Sequence, residues 1–154
     1  MDIEFMKAAL RLAEKAGACG EAPIGAVVVK DNKIIGRGYN RREKLQLATA
    51  HAEITAIERA CKKLKSWRLD GCDIYVTLEP CVMCLGAVIN ARIDNMYFGC
   101  YDDKRKDRQF TEGLYSANAN GLNHNLKAEG GILEEDCRNL LKEFFFCRRK
   151  NALR

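Results

Sequence analysis

Apolar positions recur along the chain in two periods, about 3.6 residues for a helix and about two for a strand. The first segment has the helical period, and Asp2 precedes it as a capping residue. We predict a helix from there to Gly17 and Gly20, because glycine commonly ends helices. Its expected buried face consists of Ile3, Met6, Leu10 and Ala13.

The remaining chain alternates between strand-like and helix-like segments. Predicted strands lie at 24–29, 34–39, 72–78, 95–99 and 126–129, and predicted helices lie at 51–65, 81–91 and from 134 onward. The first two strands flank an Asp31-Asn32 turn, as in an antiparallel hairpin. A polar loop is expected at 40–50, and a longer loop with room for a short helix at 100–125. This order predicts one α/β domain over 1–154, a three-layer α-β-α sandwich around a central mixed sheet of about five strands.

The composition is that of a globular protein, with 47% of the 154 residues hydrophobic and 31% charged. No stretch approaches the length of a membrane span, and the amino terminus has no cleavable apolar segment, so we expect a cytoplasmic location. Eight cysteines without disulfide-like spacing favour a reducing compartment. Six of them are expected to be mostly buried small hydrophobes: Cys19, Cys61, Cys72, Cys100, Cys137 and Cys147.

The net charge of +5 is a mild basic excess, compatible with a polyanionic partner but not diagnostic of one. Its distribution is more informative, because basic residues form three clusters. These are Arg41, Arg42 and Lys44, then Lys104, Arg105, Lys106 and Arg108, and finally Arg148, Arg149, Lys150 and Arg154. Each cluster alone is typical of solvated surface, but the three could together surround one pocket.

The segment 77–92 carries the candidate chemistry. Pro80 suits the first turn of a helix, and Cys81 and Cys84 lie three residues apart on that turn. The positive end of the helix dipole favours thiolates, and two thiolates make half of a tetrahedral zinc site. Upstream, His51 can supply a third ligand, and Glu53 on the same turn is free to move protons. Three protein ligands with one position left for water are the catalytic form of a zinc site.

Other interpretations of these residues stay open. A closed structural zinc site would need Cys72, Cys100 or His124 as its fourth ligand, although His124 is otherwise expected at the surface or packed in a loop. A redox Cys-x-x-Cys pair would leave His51 and Glu53 without explanation. The combination of His-x-Glu with a later Pro-Cys-x-x-Cys is similar to the signature of zinc nucleobase deaminases.

Longer stretches extend this likeness to a family. The chain resembles the bacterial tRNA-specific adenosine deaminases from Ala22 to the last helix. The stretches that carry the likeness are Thr49-Ala50-His51-Ala52-Glu53-Ile54, Tyr75-Val76-Thr77-Leu78-Glu79-Pro80-Cys81-Val82-Met83-Cys84, and Gly131-Ile132-Leu133 with Phe144-Phe145 and Arg148-Arg149. The resemblance implies the cytidine-deaminase-like fold, a homodimer, one zinc ion per chain, and conversion of the wobble adenosine of a tRNA anticodon to inosine.

The resemblance also implies roles for individual residues. His51, Cys81 and Cys84 resemble the zinc ligands, and Glu53 resembles the proton shuttle. Implied substrate contacts are Asn40, which would hydrogen-bond the target base, the backbone N–H of Ala52, the loop residues Asp102, Lys104 and Asn123, and the final-helix residues Phe145 and Arg148. The implied partner is the anticodon stem-loop of a tRNA.

Several of these contacts have a simpler alternative. Asn40 could end its strand and satisfy loop backbone, and Asp102 and Lys104 could belong to a solvated loop. The three residues Phe144–Phe146 cannot share one helix face, so one or two of them are expected in the core. Phe145 is then either a stacking platform for RNA or a core residue.

The chain departs from the family pattern at two places. Leu47-Ala48 stands where the family usually has Asp-Pro, and the segment 105–113 replaces a glycine- and alanine-rich segment that shapes the substrate channel. The second departure keeps open an alternative function, deamination of a free base or nucleoside such as guanine, cytosine or a pterin-like ring. A catalytically idle, zinc-stabilised RNA-binding protein is the third class.

Overall fold

The computed structural model describes residues 1–106, 108–115 and 122–153. The helices are α1 Ile3–Ala18, α2 Arg42–Leu45, α3 Ala52–Leu64, α4 Val82–Asn90, α5 Arg108–Tyr115 and α6 Glu134–Ala152. The strands are β1 Gly25–Lys30, β2 Lys33–Tyr39, β3 Cys72–Leu78, β4 Asn95–Cys100 and β5 Lys127–Glu129. Within these described ranges, no helix has both the length and the apolar character needed to cross a membrane.

The strands form one mixed sheet in the order β2-β1-β3-β4-β5. β1 pairs antiparallel with β2 and β3, whereas β3 with β4 and β4 with β5 are parallel. The carboxyl ends of β2, β3 and β4 therefore meet at one edge of the sheet, together with the amino end of β1. The backbone N–H of Gly25 marks this edge by donating to Thr77 Oγ1 at 3.2 Å. The predicted hairpin and central mixed sheet are confirmed.

Helices cover both faces of the sheet, which confirms the predicted three layers. On one face, Met6 and Ala9 of α1 and Cys137 of α6 share a buried cluster with Val27 and Tyr75. The other face carries α3 and α4, packed through Ala56, Ala60, Leu85 and Val88. These two clusters hold the helices rigidly on the sheet because close-packed interiors leave few voids.

The buried face of α1 differs from the predicted one. It consists of Met6, Ala9, Ala13 and Ala16, while Ile3 is 43% exposed and Leu10 is half-buried. Small alanines allow the helix to lie close to the sheet, so this face is favoured over the one with larger side chains. The predicted cap is confirmed, since the Asp2 carboxylate accepts the N–H of Glu4 at 2.9 Å.

A short helix, α2, stands inside the segment 40–50 that was expected to be a loop. The buried carboxylate of Glu21 accepts the N–H groups of Glu43 at 3.2 Å and Lys44 at 2.6 Å, at the start of that helix. Such long-range capping leaves no local signal in the sequence. In the second long loop, α5 matches the short helix expected there, while 107 and 116–121 lie outside the described residues.

The six cysteines that were expected to be buried differ in their exposure to solvent. Cys72, Cys100 and Cys137 are buried and Cys61 is half-buried, as expected. Cys19 and Cys147 are exposed, so the expectation of burial was wrong for these two. Cys19 follows the last residue of α1, and Cys147 lies on the outer part of α6, where neither helix packs on the sheet.

Candidate metal centre and active site

Three side chains from distant parts of the chain converge at the sheet edge. His51 Nδ1 lies 3.7 Å from Cys81 Sγ and 3.5 Å from Cys84 Sγ, and the three ligand atoms lie within 4.8 Å of one another. Zinc bonds of about 2.3 Å to sulfur and about 2.1 Å to nitrogen at the tetrahedral angle imply a sulfur–nitrogen separation of about 3.6 Å. The donor set and its spacing therefore fit a zinc ion.

The starts of two helices position these ligands. His51 is the N-cap of α3 and Cys81 the N-cap of α4, both in extended backbone conformations, and Cys84 lies in the first turn of α4. Helix N-termini favour negatively charged sulfur. A hydrogen bond from the Cys84 thiol lowers the pKa of Cys81 to about 4, and contact with Cys81 raises the pKa of His51.

Glu53 lies two residues beyond His51 and is 4% exposed. It is not part of the ligand cluster found among the described residues. Burial raises the pKa of its carboxyl group above the usual range. A carboxyl group that holds a proton more readily than usual, beside a metal site, suits proton transfer.

The three candidates for the fourth ligand of a closed structural site, Cys72, Cys100 and His124, lie outside this cluster. Cys100 Sγ lies 3.6 Å from the carbonyl oxygen of Thr77, and His124 Nε2 lies 2.5 Å from that of Ile93. Cys72 Sγ lies near the carbonyl oxygen of Asp70. Within the described part of the chain, the cluster consists of three ligands, as the catalytic form of zinc requires.

Asn40 and Ala52 lie at the same sheet edge. Asn40 follows β2 and is buried, and its Oδ1 accepts the N–H of Arg42 at 3.2 Å while its Nδ2 donates to the carbonyl of Ala22 at 3.4 Å. The structure therefore contains the loop-satisfying contacts of the simpler alternative for this residue. Ala52 is fully buried and is the first residue of α3, where a backbone N–H has no partner within the helix.

A cavity of about 380 Å³ brings three of the predicted RNA-contact residues together. Its lining includes Asp102, Lys104 and Phe145. Lys104 Nζ lies 5.2 Å from the ring centroid of Phe145, within the range of a cation–π contact. The remaining side of this cavity is formed by Ala22, Ile24, Leu78, Cys100, Tyr101, Asp103, Arg138, Leu141, Lys142 and Arg149.

The three consecutive phenylalanines are less buried than expected. Phe144 is half-buried, Phe145 is 36% exposed and Phe146 is 53% exposed, so the expectation of one or two core residues was wrong. The core contacts of α6 come from its first half, through Cys137 and Leu141, and the second half lies at the surface.

Two predicted contacts lie elsewhere. The guanidinium of Arg148 lies 5.8 Å from the ring centroid of Phe144, on the exposed part of α6. Asn123 is in an exposed bend beside His124, which contacts the carbonyl of Ile93 beyond the carboxyl end of α4. The metal ligands are at the opposite end of α4, so the structure does not bring Asn123 to them, and its RNA contact stays a prediction.

Two buried carboxylates at this edge had no assigned role. Glu21 holds the start of α2, and Glu79 Oε2 accepts the N–H of Asp102 at 3.1 Å. Glu79 stands in the quoted motif directly before Pro80, which is the only sequence signal for it. For Glu21 we find no such signal, since its partners lie 22 and 23 residues away.

Comparison with known proteins agrees with this geometry. The family model described as MafB19-like deaminase matches residues 2–149. A tRNA-specific adenosine deaminase of Bacillus subtilis (strain 168) is 44% identical over 141 residues, which cover 92% of this chain and 86% of the relative. A solved structure from a study of A-to-I editing by tRNA:A34 deaminases at the wobble position is 40% identical, with a TM-score of 0.82 over 91% of this chain and 100% of the other.

A second kind of deaminase is also similar. The structure of a guanine deaminase from Nitrosomonas europaea is 28% identical, with a TM-score of 0.76 over 94% of this chain and 84% of the other. The structure of a guanine deaminase from Bacillus subtilis is 44% identical, but with a TM-score of 0.62 over only 66% of each chain. The chain belongs to the MafB19-like deaminase family, in which it resembles the tRNA-specific adenosine deaminases.

Proposed function

We propose that this protein is a zinc-dependent hydrolytic deaminase that converts adenosine to inosine at the wobble position of a tRNA anticodon. The observation that carries the proposal is the three-ligand cluster of His51, Cys81 and Cys84 beside a buried carboxylate, Glu53, that is not part of it. The substrate is supported by the relatives, which include a tRNA-specific adenosine deaminase and a tRNA:A34 deaminase of known structure.

His51, Cys81 and Cys84 would hold the zinc ion, one per chain. When bound, zinc would supply an activated water for attack on C6 of adenine. Glu53 takes one proton from the attacking water and passes it to the ring nitrogen N1. It then takes the second proton from the oxygen now bonded to C6 and passes it to the amine, which leaves as ammonia. The net reaction joins water to the purine and releases ammonia, leaving the oxygen of inosine on C6.

The same edge of the sheet would orient the base. Asn40 is the amide nearest the end of β2, and we assign it a hydrogen bond to the target base, with the backbone N–H of Ala52 as a second donor. Both residues are buried, Asn40 at 7% exposure and Ala52 fully. Such donors need no reorganisation when the substrate binds, so they can hold the base in position for attack at C6.

The cavity between the metal edge and α6 supports an RNA substrate. Lys104 would meet phosphate, and Phe145, which is partly exposed beside it, would stack on an unpaired base. Asp102, Asn123 and Arg148 are further proposed contacts with the anticodon strand. Stacked bases and neutralised phosphates are the usual means of binding single-stranded loops.

Deamination of a free base is the second candidate. The similar guanine deaminase and the departure of residues 105–113 from the family pattern favour it. Purified protein should be incubated with an anticodon stem-loop, adenosine, guanine and cytosine while ammonia is followed. We expect ammonia and inosine from the stem-loop, with binding that weakens as salt rises. Release from guanine or cytosine alone would favour the second candidate, and no release from any substrate would favour an idle RNA-binding protein.

We further infer a homodimer that works in the cytoplasm, where tRNA is modified. Exposed apolar side chains lie near the metal edge and support an interface there: Leu45 at 42%, Leu47 at 53% and Val82 at 48% exposure. Mass measurement by light scattering at several protein concentrations tests the dimer, and a mass that stays at 17.4 kDa would contradict it.

A further inference from the structure

The segment 102–105 is attached to four different partners in four successive residues. Asp102 donates its N–H to Glu79, Asp103 pairs with Arg138 of α6, and Lys104 lies over Phe145. Arg105 donates from its guanidinium to the carbonyl oxygen of Pro80. The two outer residues of the segment, Asp102 and Arg105, thus hold it to the metal-bearing turn, and the two inner residues hold it to α6.

The segment is itself a tight turn. The N–H of Arg105 donates to the carbonyl of Asp102 at 3.1 Å, and the N–H of Lys104 donates to Asp102 Oδ1, also at 3.1 Å. This pattern of backbone and side-chain bonds is typical of an Asx-supported turn, which restricts the backbone strongly. The direction in which Arg105 leaves the turn is therefore set by the turn itself.

The acceptor of Arg105 stands directly before a metal ligand. Pro80 is buried, and the first hydrogen bond within α4 runs from the N–H of Leu85 to the carbonyl of Cys81 at 2.9 Å. The carbonyl of Pro80 therefore lies outside the hydrogen-bonding ladder of that helix and needs a donor from another segment. A charged donor makes a stronger bond than a neutral one, so the guanidinium holds this peptide firmly.

We propose that Arg105 is a positioning residue that joins the metal site to the RNA-facing cavity. By holding the carbonyl of Pro80, it orients Cys81 for the metal, and through the turn it fixes Lys104 beside Phe145. The inference rests on the proposed function. It concerns the first residue of the segment 105–113, where the chain departs from the family pattern.

The test compares Arg105→Ala and Arg105→Lys with Lys106→Ala, which removes one positive charge from the neighbouring exposed position. Arg105→Ala removes the hydrogen bond to the carbonyl of Pro80, the residue before the ligand Cys81. Zinc release to a chelator should therefore become about 10–100-fold faster in this variant. The KM for the stem-loop should rise about tenfold, because Lys104 is no longer held beside Phe145. The kcat of the zinc-loaded variant should change by less than about threefold, because Glu53 and the three ligands are all retained. Arg105→Lys, which can still donate to a carbonyl, should lie between Arg105→Ala and the wild type on both measurements.

Zinc release is measured without substrate, so it separates this inference from the proposed function. A wild-type protein that does not deaminate the stem-loop would contradict the proposed function, and zinc release would still decide the role of Arg105. Equal zinc release in Arg105→Ala and Lys106→Ala would overturn the inference. An unchanged KM in an active Arg105→Ala protein would overturn it as well.

Discussion

Gly38 of β2 packs directly on the carbonyl oxygen of Ala52 at the start of α3. A methyl group at Gly38 would stand 2.1 Å from that oxygen, and one at Gly36 would stand 2.1 Å from the carbonyl oxygen of Ala56. The strand and the helix therefore touch backbone to backbone. Because His51 and Glu53 flank Ala52, the position of both site residues depends on this contact.

Gly38→Ala should destabilise the protein and disturb the site. The added methyl group forces α3 away from the sheet, and overpacking of this kind lowers the free energy of unfolding by about 1–3 kcal/mol. Urea denaturation measures the loss, and the rate of ammonia release measures the effect on Glu53. Gly86→Ala is the control, since its methyl group would meet nothing within 4 Å and alanine favours the helix by about 0.5–1 kcal/mol. Equal stability of the two variants would contradict the prediction.

The close contact at Gly38 marks the limit of what local sequence patterns can predict. The strands and the main helices follow from short periods in the sequence and were confirmed by the structure. The same periods place Cys81 and Cys84 together on the first turn of a helix, and their role as metal ligands stays a prediction. That the two cysteines meet His51, 30 residues upstream of Cys81, rested on a recognised motif. The partner of Gly38 could not be predicted, because contact between a glycine and a distant backbone leaves no periodic signal.

The same limit applies to the contacts made by charged side chains. From the sequence alone Glu21 would be expected at the surface, yet it is 1% exposed because its carboxylate caps α2. In the sequence Arg105 is one member of a basic cluster, yet its guanidinium donates to the carbonyl of the buried Pro80. In a single sequence, a charged residue that will be buried cannot be told apart from one that will be exposed to solvent. Only the fold brings their partners within reach.

Glu53→Gln should keep zinc and lose turnover. The amide preserves the shape of the side chain but cannot carry protons between water and the base, so kcat should fall by about 10²–10⁴-fold. Ammonia release gives kcat, and elemental analysis gives the zinc content, which should stay near one per chain. Glu58→Gln changes an exposed carboxylate of the same helix and should behave like the wild type. Full activity in Glu53→Gln would refute the assigned role.

Zinc removal should make Cys81 reactive at mildly acid pH. In the metal-free protein, the hydrogen bond from Cys84 lowers the pKa of Cys81 to about 4, so its thiolate persists as the pH falls from 7 to 5. Iodoacetamide at pH 5.5 should therefore label Cys81 after chelation and not before it. Peptide mass spectrometry locates the label, with the exposed Cys19 and Cys147 as references in both samples. Equal labelling of Cys81 with and without zinc would count against its role as a ligand.

Glu21→Gln should weaken the segment that follows Asn40. The carboxylate accepts two backbone N–H groups at the start of α2, and an amide leaves one of them facing another donor. The free energy of unfolding should fall by about 1–3 kcal/mol. Glu14→Gln, at an exposed position of α1, should have no measurable effect. If Asn40 orients the base, the KM for the stem-loop should also rise in Glu21→Gln, whereas equal unfolding curves for the two variants would contradict the capping role.

Phe145→Ala should weaken binding of the anticodon stem-loop without changing its dependence on salt. The ring lines the cavity beside Lys104, and loss of one stacked base costs about 1–3 kcal/mol. A phenyl ring neutralises no phosphate, so the slope of log affinity against log salt should match that of the wild type. Phe146→Ala is the matched control, because Phe146 is the more exposed ring and does not line the cavity. Fluorescence anisotropy at several salt concentrations gives both quantities, and equal losses in the two variants would mean that the cavity is not where the base stacks.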